Sequence, residues 1–435
     1  MKNFLINFAT LIVIAICVFI LARLPLVVLL ALAVVLALWM AVTRAGQQAW
    51  SVAKVGIATI PQRLGSSSVI VVGIAGVVGV LVALLAMGQG FKQTLSQTGD
   101  DMTAIVLRGG ATAELSSGVG RDQATLIAQM PGIAKDAKGK PIVSAELVVV
   151  ANVPKKSSGT DANVEIRGVG EEAFALRPNV KIVDGRNFKP GLRELIVGKG
   201  ALTQFAGLQP GRKLNLNNQQ WDIVGTFESN DSHDSELWGD VETISAAYRR
   251  QGYQSVTVRL TSPAALDQLK AAIVSDPRLQ VDVKTTSDYY TAQSEGLTRV
   301  ITVIGIVVGA IMAIGAVFGA LNTMYAAVAT RAREIATLRA IGFRGLPVVV
   351  SVLLETMLLA LAGGVLGGLI AWLIFNNYTV STLGSNFSQV VFAFKVSPAL
   401  LGTGLKWALA IGFVGGAFPA LRAARLPVTT ALREL

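Results

Sequence analysis

The sequence predicts a multi-pass α-helical membrane domain with an inserted α+β extracytoplasmic domain. Three observations carry this expectation. The 435 residues are 52% hydrophobic and only 15% charged, too apolar a balance for an ordinary soluble domain. Six apolar runs reach or approach the roughly 20 residues that a helix needs to cross a bilayer at about 1.5 Å per residue. Between the third and fourth runs lie roughly 210 residues of a different character, enough to bury a core of their own.

The runs are residues 4–21, 24–42, 69–87, 300–328, 346–375 and 398–421. The first two are separated only by Ala22 and Arg23, with Pro25 just after. As one helix they would be nearly twice the length required, so they read as a tight helical hairpin. The rival reading is a signal sequence after Lys2. It finds no small-x-small cleavage site, and Ile16 before Cys17 does not suit a lipoprotein signal.

Basic residues set the orientation. Arg44, Lys54 and Arg63 lie between the second and third runs, and Arg331, Arg333, Arg339 and Arg344 between the fourth and fifth. Arg422, Arg425 and Arg433 follow the sixth, whereas the short loop 376–397 carries only Lys395. The positive-inside rule places the three basic segments and both termini in the cytoplasm, and the large insert outside. The net charge of +11 is then the mark of flanked spans, and no nucleic-acid partner is needed to explain it.

Two segments on the basic side invite closer reading. Residues 47–62 space Trp50, Val52 or Ala53, Val55 or Ile57 and Ile60 at near-helical intervals. They read as a helix in the inner membrane interface, or as a plain connector. In 330–343, Ile335, Leu338 and Ile341 recur at three-residue spacing, with Arg331, Glu334 and Arg339 around them. That is an amphipathic helix of about three turns. Periodicity leaves two meanings open for it: a charged loop that only fixes topology, or an element that seats on a soluble motor domain.

Within the spans, small residues mark close helix contacts. They are Gly73, Gly76 and Gly79, then Gly305 with Gly309 and Gly315 with Gly319, then Gly363 with Gly367 and Gly364 with Gly368. Two ionisable residues also lie inside spans. Glu355 and Lys406 each sit about 12 Å in, from opposite faces, so antiparallel neighbours hold them at different levels and no ion pair between them is expected. Lys406 can snorkel outward, while Glu355 requires a partner or a proton.

The insert alternates strand-like runs at 103–107, 142–150, 163–167, 194–197, 220–227, 254–260 and 281–284 with helical stretches at 121–130 and 263–275. This mixture reads as an α+β domain of two lobes. The stretch 229–242 collects Asp231, His233, Asp234, Glu236 and Asp240. One histidine among carboxylates, without ligand spacing, reads as a solvated loop and not as a metal site. No GxSxG, HExxH or Walker A pattern occurs, so no catalytic residue, metal site or nucleotide site is assigned to this chain. The single cysteine, Cys17, excludes a disulfide within the chain.

Three stretches give the sequence a family likeness. REIATLRAIGF is followed by LLETMLLALAGGVLGGLIAWL within 333–373, the chain ends in FPALRAARLPVTTALREL, and the insert carries a long patterned run over 164–228. From about residue 50 to the end the chain resembles a permease of the FtsX/MacB type, in the type VII ABC transporter superfamily. The resemblance implies four core spans, to which this chain adds the N-terminal hairpin. The implied division is hairpin 1–44, interfacial helix 45–68, first core span 69–88, MacB-like periplasmic domain 89–297, second core span 298–329, coupling segment 330–345, third and fourth core spans 346–421 forming the FtsX-like permease domain, and cytoplasmic tail 422–435. It implies a bacterial inner-membrane protein that works as a homo- or heterodimer in contact with membrane lipid. A separate ABC ATPase would hold ATP and Mg, and a periplasmic adaptor or other periplasmic protein would be a further partner. By this likeness Arg333, Glu334, Leu338, Arg339, Ile341 and Phe343 meet the ATPase.

The implied function is mechanical coupling of ATP hydrolysis to the periplasmic domain, for export or extraction of a peptide, antibiotic or lipid-linked substrate. The alternative is a mechanotransmission subunit that moves nothing and controls a periplasmic partner such as a cell-wall hydrolase. A membrane enzyme or receptor without a motor is the weakest reading, because it leaves the charged helix without a purpose. The fourth apolar run, about 43 Å long as a helix, exceeds a hydrocarbon core of about 30 Å and is expected to continue outside as a stalk. The chain departs from the family in its first 44 residues and in carrying no fused nucleotide-binding domain.

Overall fold

The computed structural model describes residues 16, 18–384 and 386–425. These form two compact units. One comprises Met1–Met87, Val300–Asn377 and Lys395–Leu435, and the other Gly88–Arg299 and Tyr378–Phe394. Most of the predicted span 4–21, and residues 426–435 of the tail, lie outside the described residues.

The helical unit begins with Leu26–Val42, apolar on all sides, as a helix facing lipid must be. Thr43 stops it. Its Oγ1 accepts from the Gly46 amide at 2.9 Å and caps the next helix, Arg44–Ala58, which leaves at 102° to the first. A side chain at Gly46 would collide with the Trp39 carbonyl, so this corner admits only glycine. The second helix, which we call the hinge helix, buries Gly46, Ala49, Val52, Ala53 and Gly56. Trp50 and Val55, expected on the anchoring face, are exposed. The small residues face the protein and the large ones face away from it.

A short 3-10 turn, Ile60–Arg63, with Pro in its first positions, leads into four long core helices. Core helix I is Leu64–Thr98, II is Thr286–Thr330, III is Gly345–Phe375 and IV is Pro398–Arg425. All four are apolar enough to cross a bilayer. Helices I and II would measure about 52 Å and 67 Å, well beyond a hydrocarbon core.

The glycines of helix III sort onto two faces. Gly363 and Gly367 meet Val71, Ile74 and Ala75 of helix I, and Gly364 and Gly368 meet Leu401, Leu405 and Ala408 of helix IV. Gly305 and Gly309 of helix II receive Leu84 and Leu81 of helix I. These close approaches are what small residues permit between membrane helices. Gly315 and Gly319, with the same spacing, meet nothing within 4 Å.

The α/β unit holds strands β1 (Thr103–Arg108), β2 (Val143–Pro154), β3 (Asp161–Val169), β4 (Lys181–Gly185), β5 (Glu194–Gly198), β6 (Lys213–Leu216), β7 (Gln219–Glu228), β8 (Glu236–Asp240), β9 (Ser255–Arg259) and β10 (Val281–Thr285). They form one mixed sheet in the order β10-β1-β9-β2-β3-β8-β5-β7-β4, with β6 beside β7. Three hydrophobic cores accompany it, one of them formed by Val169, Ala173, Phe188, Ile196, Phe227 and Trp238. Helices Arg121–Ile127 and Ala265–Ser275 pack Ile127, Leu269 and Ile273 on Val106, Val256 and Val258. At the other end Leu147, Ile166, Val197, Phe205, Trp221 and Leu237 enclose the second core.

Three expectations are corrected here. The segment 376–397 is no simple loop. It folds as a hairpin of β11 (Thr379–Leu383) and β12 (Gln389–Ala393), and it belongs to the α/β unit although the sequence division put it in the span domain 346–421. The stretch 229–242 is not solvated. Asp231, His233, Glu236, Leu237 and Trp238 are all buried, and 236–240 is an interior strand. Its carboxylates are hydrogen-bonded inside the domain, which is what burial of polar groups requires. The coupling segment forms a helix of nine residues, Ala332–Ala340, shorter than the three turns expected.

Candidate coupling site

Core helix II ends at Thr330, and Arg331 is the only residue between it and the helix Ala332–Ala340. The far end is closed by Gly342 at φ +106, a conformation that side chains rarely adopt. The Phe343 amide bonds the Leu338 carbonyl and the Gly342 amide bonds the Arg339 carbonyl, both at 3.1 Å, which is the Schellman arrangement. The helix is therefore sharply bounded at both ends.

Its faces differ. Ile335 and Ala336 are buried. Arg333 and Glu334 are exposed, Leu338, Arg339 and Phe343 are half-buried, and Ile341 is 70% exposed. The predicted stripe of Ile335, Leu338 and Ile341 thus does not bury as one surface, because Ile341 lies past the last helical residue. Ile341 and the exposed Leu346 instead flank the helix end as uncovered apolar side chains beside Arg344.

Glu355, inside core helix III, is 2% exposed and has two cationic partners. Arg331 Nη1 donates to its Oε2 at 3.2 Å, and Arg63 pairs with its Oε1. Arg331 Nε also reaches Glu334 Oε2 at 3.2 Å. A Cβ at Gly56 of the hinge helix would come within 3.0 Å of Glu355 and 3.1 Å of Arg331. Lys406 is half-buried in helix IV and is not part of this cluster. Arg63 entered the sequence reading only as a topology marker, and Arg331 as that and as a charge on the amphipathic helix. Their convergence on Glu355 has no local signature, since Arg63 and Arg331 stand on opposite sides of an insertion of roughly 200 residues, itself the size of a whole domain.

The α/β unit contains a second buried ionic cluster that sequence reasoning missed. Arg167 of β3 is 1% exposed. It bonds Glu114 through two nitrogens at 2.8 and 2.9 Å, Glu236 at 2.8 Å, Glu165 at 2.9 Å and Glu146 at 3.0 Å. Arg177 grips Glu146 at 2.6 and 2.9 Å. Burial pushes the Glu146 carboxyl up, but Arg177 and Arg167 outweigh it and hold it at about 2. Glu165 goes the other way: burial and the neighbouring Glu236 push it up to about 7. Glu165 Oε2 accepts from Asn386 Nδ2 at 3.1 Å and Ser388 Oγ at 2.9 Å, which fastens the β11–β12 turn. A cavity of about 30 Å³ lies beside Glu165, Tyr290, Asn386 and Ser388. Nothing here forms a nucleophile–base pair, and the cluster reads as a structural lock.

Two family models match this chain. The MacB-like periplasmic core domain family matches residues 67–276, and the FtsX-like permease C-terminal family matches 306–428. The macrolide export ATP-binding/permease protein MacB of Vibrio parahaemolyticus is 25% identical over 393 residues, covering 83% of this chain and 56% of that protein. The chain thus spans a little over half the length of the macrolide-export relatives it matches. An ABC transporter permease of Bacillus subtilis, YknZ, is 25% identical over 389 residues, covering 82% of this chain and 92% of that one. Among solved structures, the periplasmic region of MacB from Actinobacillus actinomycetemcomitans aligns over 45% of this chain and 93% of its own, at 13% identity and a TM-score of 0.34.

Proposed function

The chain belongs to the FtsX/MacB-like permeases of the type VII ABC transporter superfamily, and from that premise we propose that it is the membrane subunit of an ABC complex in the bacterial inner membrane. A separate ATPase subunit hydrolyses ATP, and this chain converts that hydrolysis into movement of its periplasmic α/β unit, for export or extraction of a substrate. The substrate class is a peptide, an antibiotic or a lipid-linked molecule. Macrolide export belongs to the names of the relatives and is not carried over. The termini and the coupling helix face the cytoplasm, and the permease pairs with a second copy or a related chain.

The observation that carries this reading is the helix Ala332–Ala340, sharply bounded at both ends and presenting Arg333 and Glu334 to solvent, with Ile341 exposed just past its end. An isolated helix of nine residues is unstable in water, so its place depends on the buried Ile335 and Ala336 and on Arg331. The exposed charges contribute little to that fold, because surface ion pairs are worth about 0–1 kcal/mol, and a partner's charges can compete for them at little cost.

Glu334→Arg combined with Arg339→Glu should lower recovery of the ATPase subunit with the tagged permease by about ten-fold, the effect of losing roughly 1.4 kcal/mol of binding. Membrane insertion should be unchanged. Undiminished ATPase recovery would count against the coupling role.

A further inference from the structure

We propose that Glu355 is a positioning residue that joins the coupling helix to the start of core helix I, so that the two move as one body. The inference rests on the coupling role proposed above, and it names the route by which a push on that helix leaves it.

Glu355 lies in the third turn of helix III and is buried. Its two oxygens are divided between two chain segments. Oε2 holds Arg331, the single residue between helix II and the coupling helix, and Oε1 holds Arg63, the residue before helix I. Four elements therefore meet at one carboxylate: helix II, the coupling helix, helix III and the start of helix I. The hinge helix approaches as closely as glycine allows, at Gly56.

An apolar contact would hold these elements together without fixing their mutual orientation. Arg331 hydrogen-bonds this carboxylate in a defined direction, and Arg63 holds its other oxygen by charge, so the joint is both aimed and drawn tight. The pairing also removes the penalty of a buried charge, which neither Arg63 nor Arg331 removes from both oxygens by itself. Arg331 is additionally tied to Glu334 on the coupling helix. A displacement of that helix thus acts on Arg331, then Glu355, then Arg63, bypassing the loop connections.

The test uses the full chain in lipid nanodiscs, with Cys17 replaced by Ser and spin labels on Thr337→Cys of the coupling helix and Ser66→Cys near the start of helix I, both exposed positions. The label-to-label distance distribution is recorded for three forms: unaltered at the cluster, Arg63→Gln, and the neutral triple variant Arg63→Gln, Arg331→Gln, Glu355→Gln. The triple variant leaves no buried unpaired charge, so it should melt close to the unaltered chain. Its distance distribution should nevertheless widen about two-fold, as for elements no longer moving together. Arg63→Gln, which keeps the Arg331–Glu355 pair, should widen it as well.

If the distributions of both variants stay as narrow as the original, the joint does not exist. Should the triple variant melt early, Arg63→Gln decides alone, wide supporting the joint and narrow overturning it. No ATPase is present in this measurement, so its outcome is independent of the copurification result.

Discussion

Arg167 shows what one residue holds together in the α/β unit. Its guanidinium faces four carboxylates, and removing it would leave them buried against only Arg177. Breaking a buried pair by deleting one partner costs about 3–5 kcal/mol, so Arg167→Met should lower the melting temperature of the purified protein sharply. Unchanged melting would mean that the cluster contributes nothing to the fold. The same cluster sets a pH dependence of mixed sign. Glu165, pushed up to about 7, contributes stability that is complete below its unfolded value and lost as pH rises through 7. Glu146, held at about 2, contributes stability above the ordinary carboxylate range that is lost as pH falls through 2. Glu165→Gln should therefore stabilise the protein at pH 8 by about 3 kcal/mol and change little at pH 5. Amide exchange across 379–393, the hairpin that Glu165 fastens, should slow in that variant at pH 8; in the unaltered protein, equal protection at pH 5 and pH 8, after allowing for the base-catalysed rise in intrinsic exchange, would refute the assignment.

The packing of helix III supplies the test at the scale of elements. A side chain at Gly367 would run into the Ala75 backbone of helix I, whereas one at Gly315 meets nothing within 4 Å. Gly367→Leu should therefore destabilise the helical unit by about 1–3 kcal/mol, the usual range for overpacking, while Gly315→Leu leaves thermal stability of the folded chain within about 0.5 kcal/mol. Equal effects would remove the distinction. This pair also shows where sequence reading stops. The GxxxG spacing of 305/309, 315/319, 363/367 and 364/368 was legible, but spacing does not say which face meets a neighbour. The strands at 161–169 and 219–228 were legible from period-2 alternation and those at 103–108 and 194–198 from short β-branched apolar runs, both local properties. The hairpin 379–393 was not, since two five-residue strands between long spans carry too little pattern. Arg167 was not legible either. Alternation on β3 puts Glu165 and Arg167 on its polar face, and nothing local reveals that the β11–β12 hairpin covers that face.

At the scale of the whole molecule, the chain passes between its two units within continuous helices, once in Leu64–Thr98 and once in Thr286–Thr330. The short hairpin 378–394 gives the α/β unit a second stretch of chain, tied at both ends to helices III and IV. The length of Thr286–Thr330 was expected, since an apolar run too long for the bilayer must continue beyond it, while the continuation of Leu64–Thr98 past residue 88 was not. The ionic joint at Glu355 was not expected, because it is assembled from residues that are remote in sequence. Such an architecture suits a chain that moves but does not drive. The decisive measurement is to tag the full chain, solubilise it gently from its own membranes and identify by mass spectrometry the proteins that come with it. Recovery of an ATPase carrying a Walker A motif, in amounts comparable to the permease, is the predicted result. Recovery of a fully functional permease with no such subunit bound would contradict it.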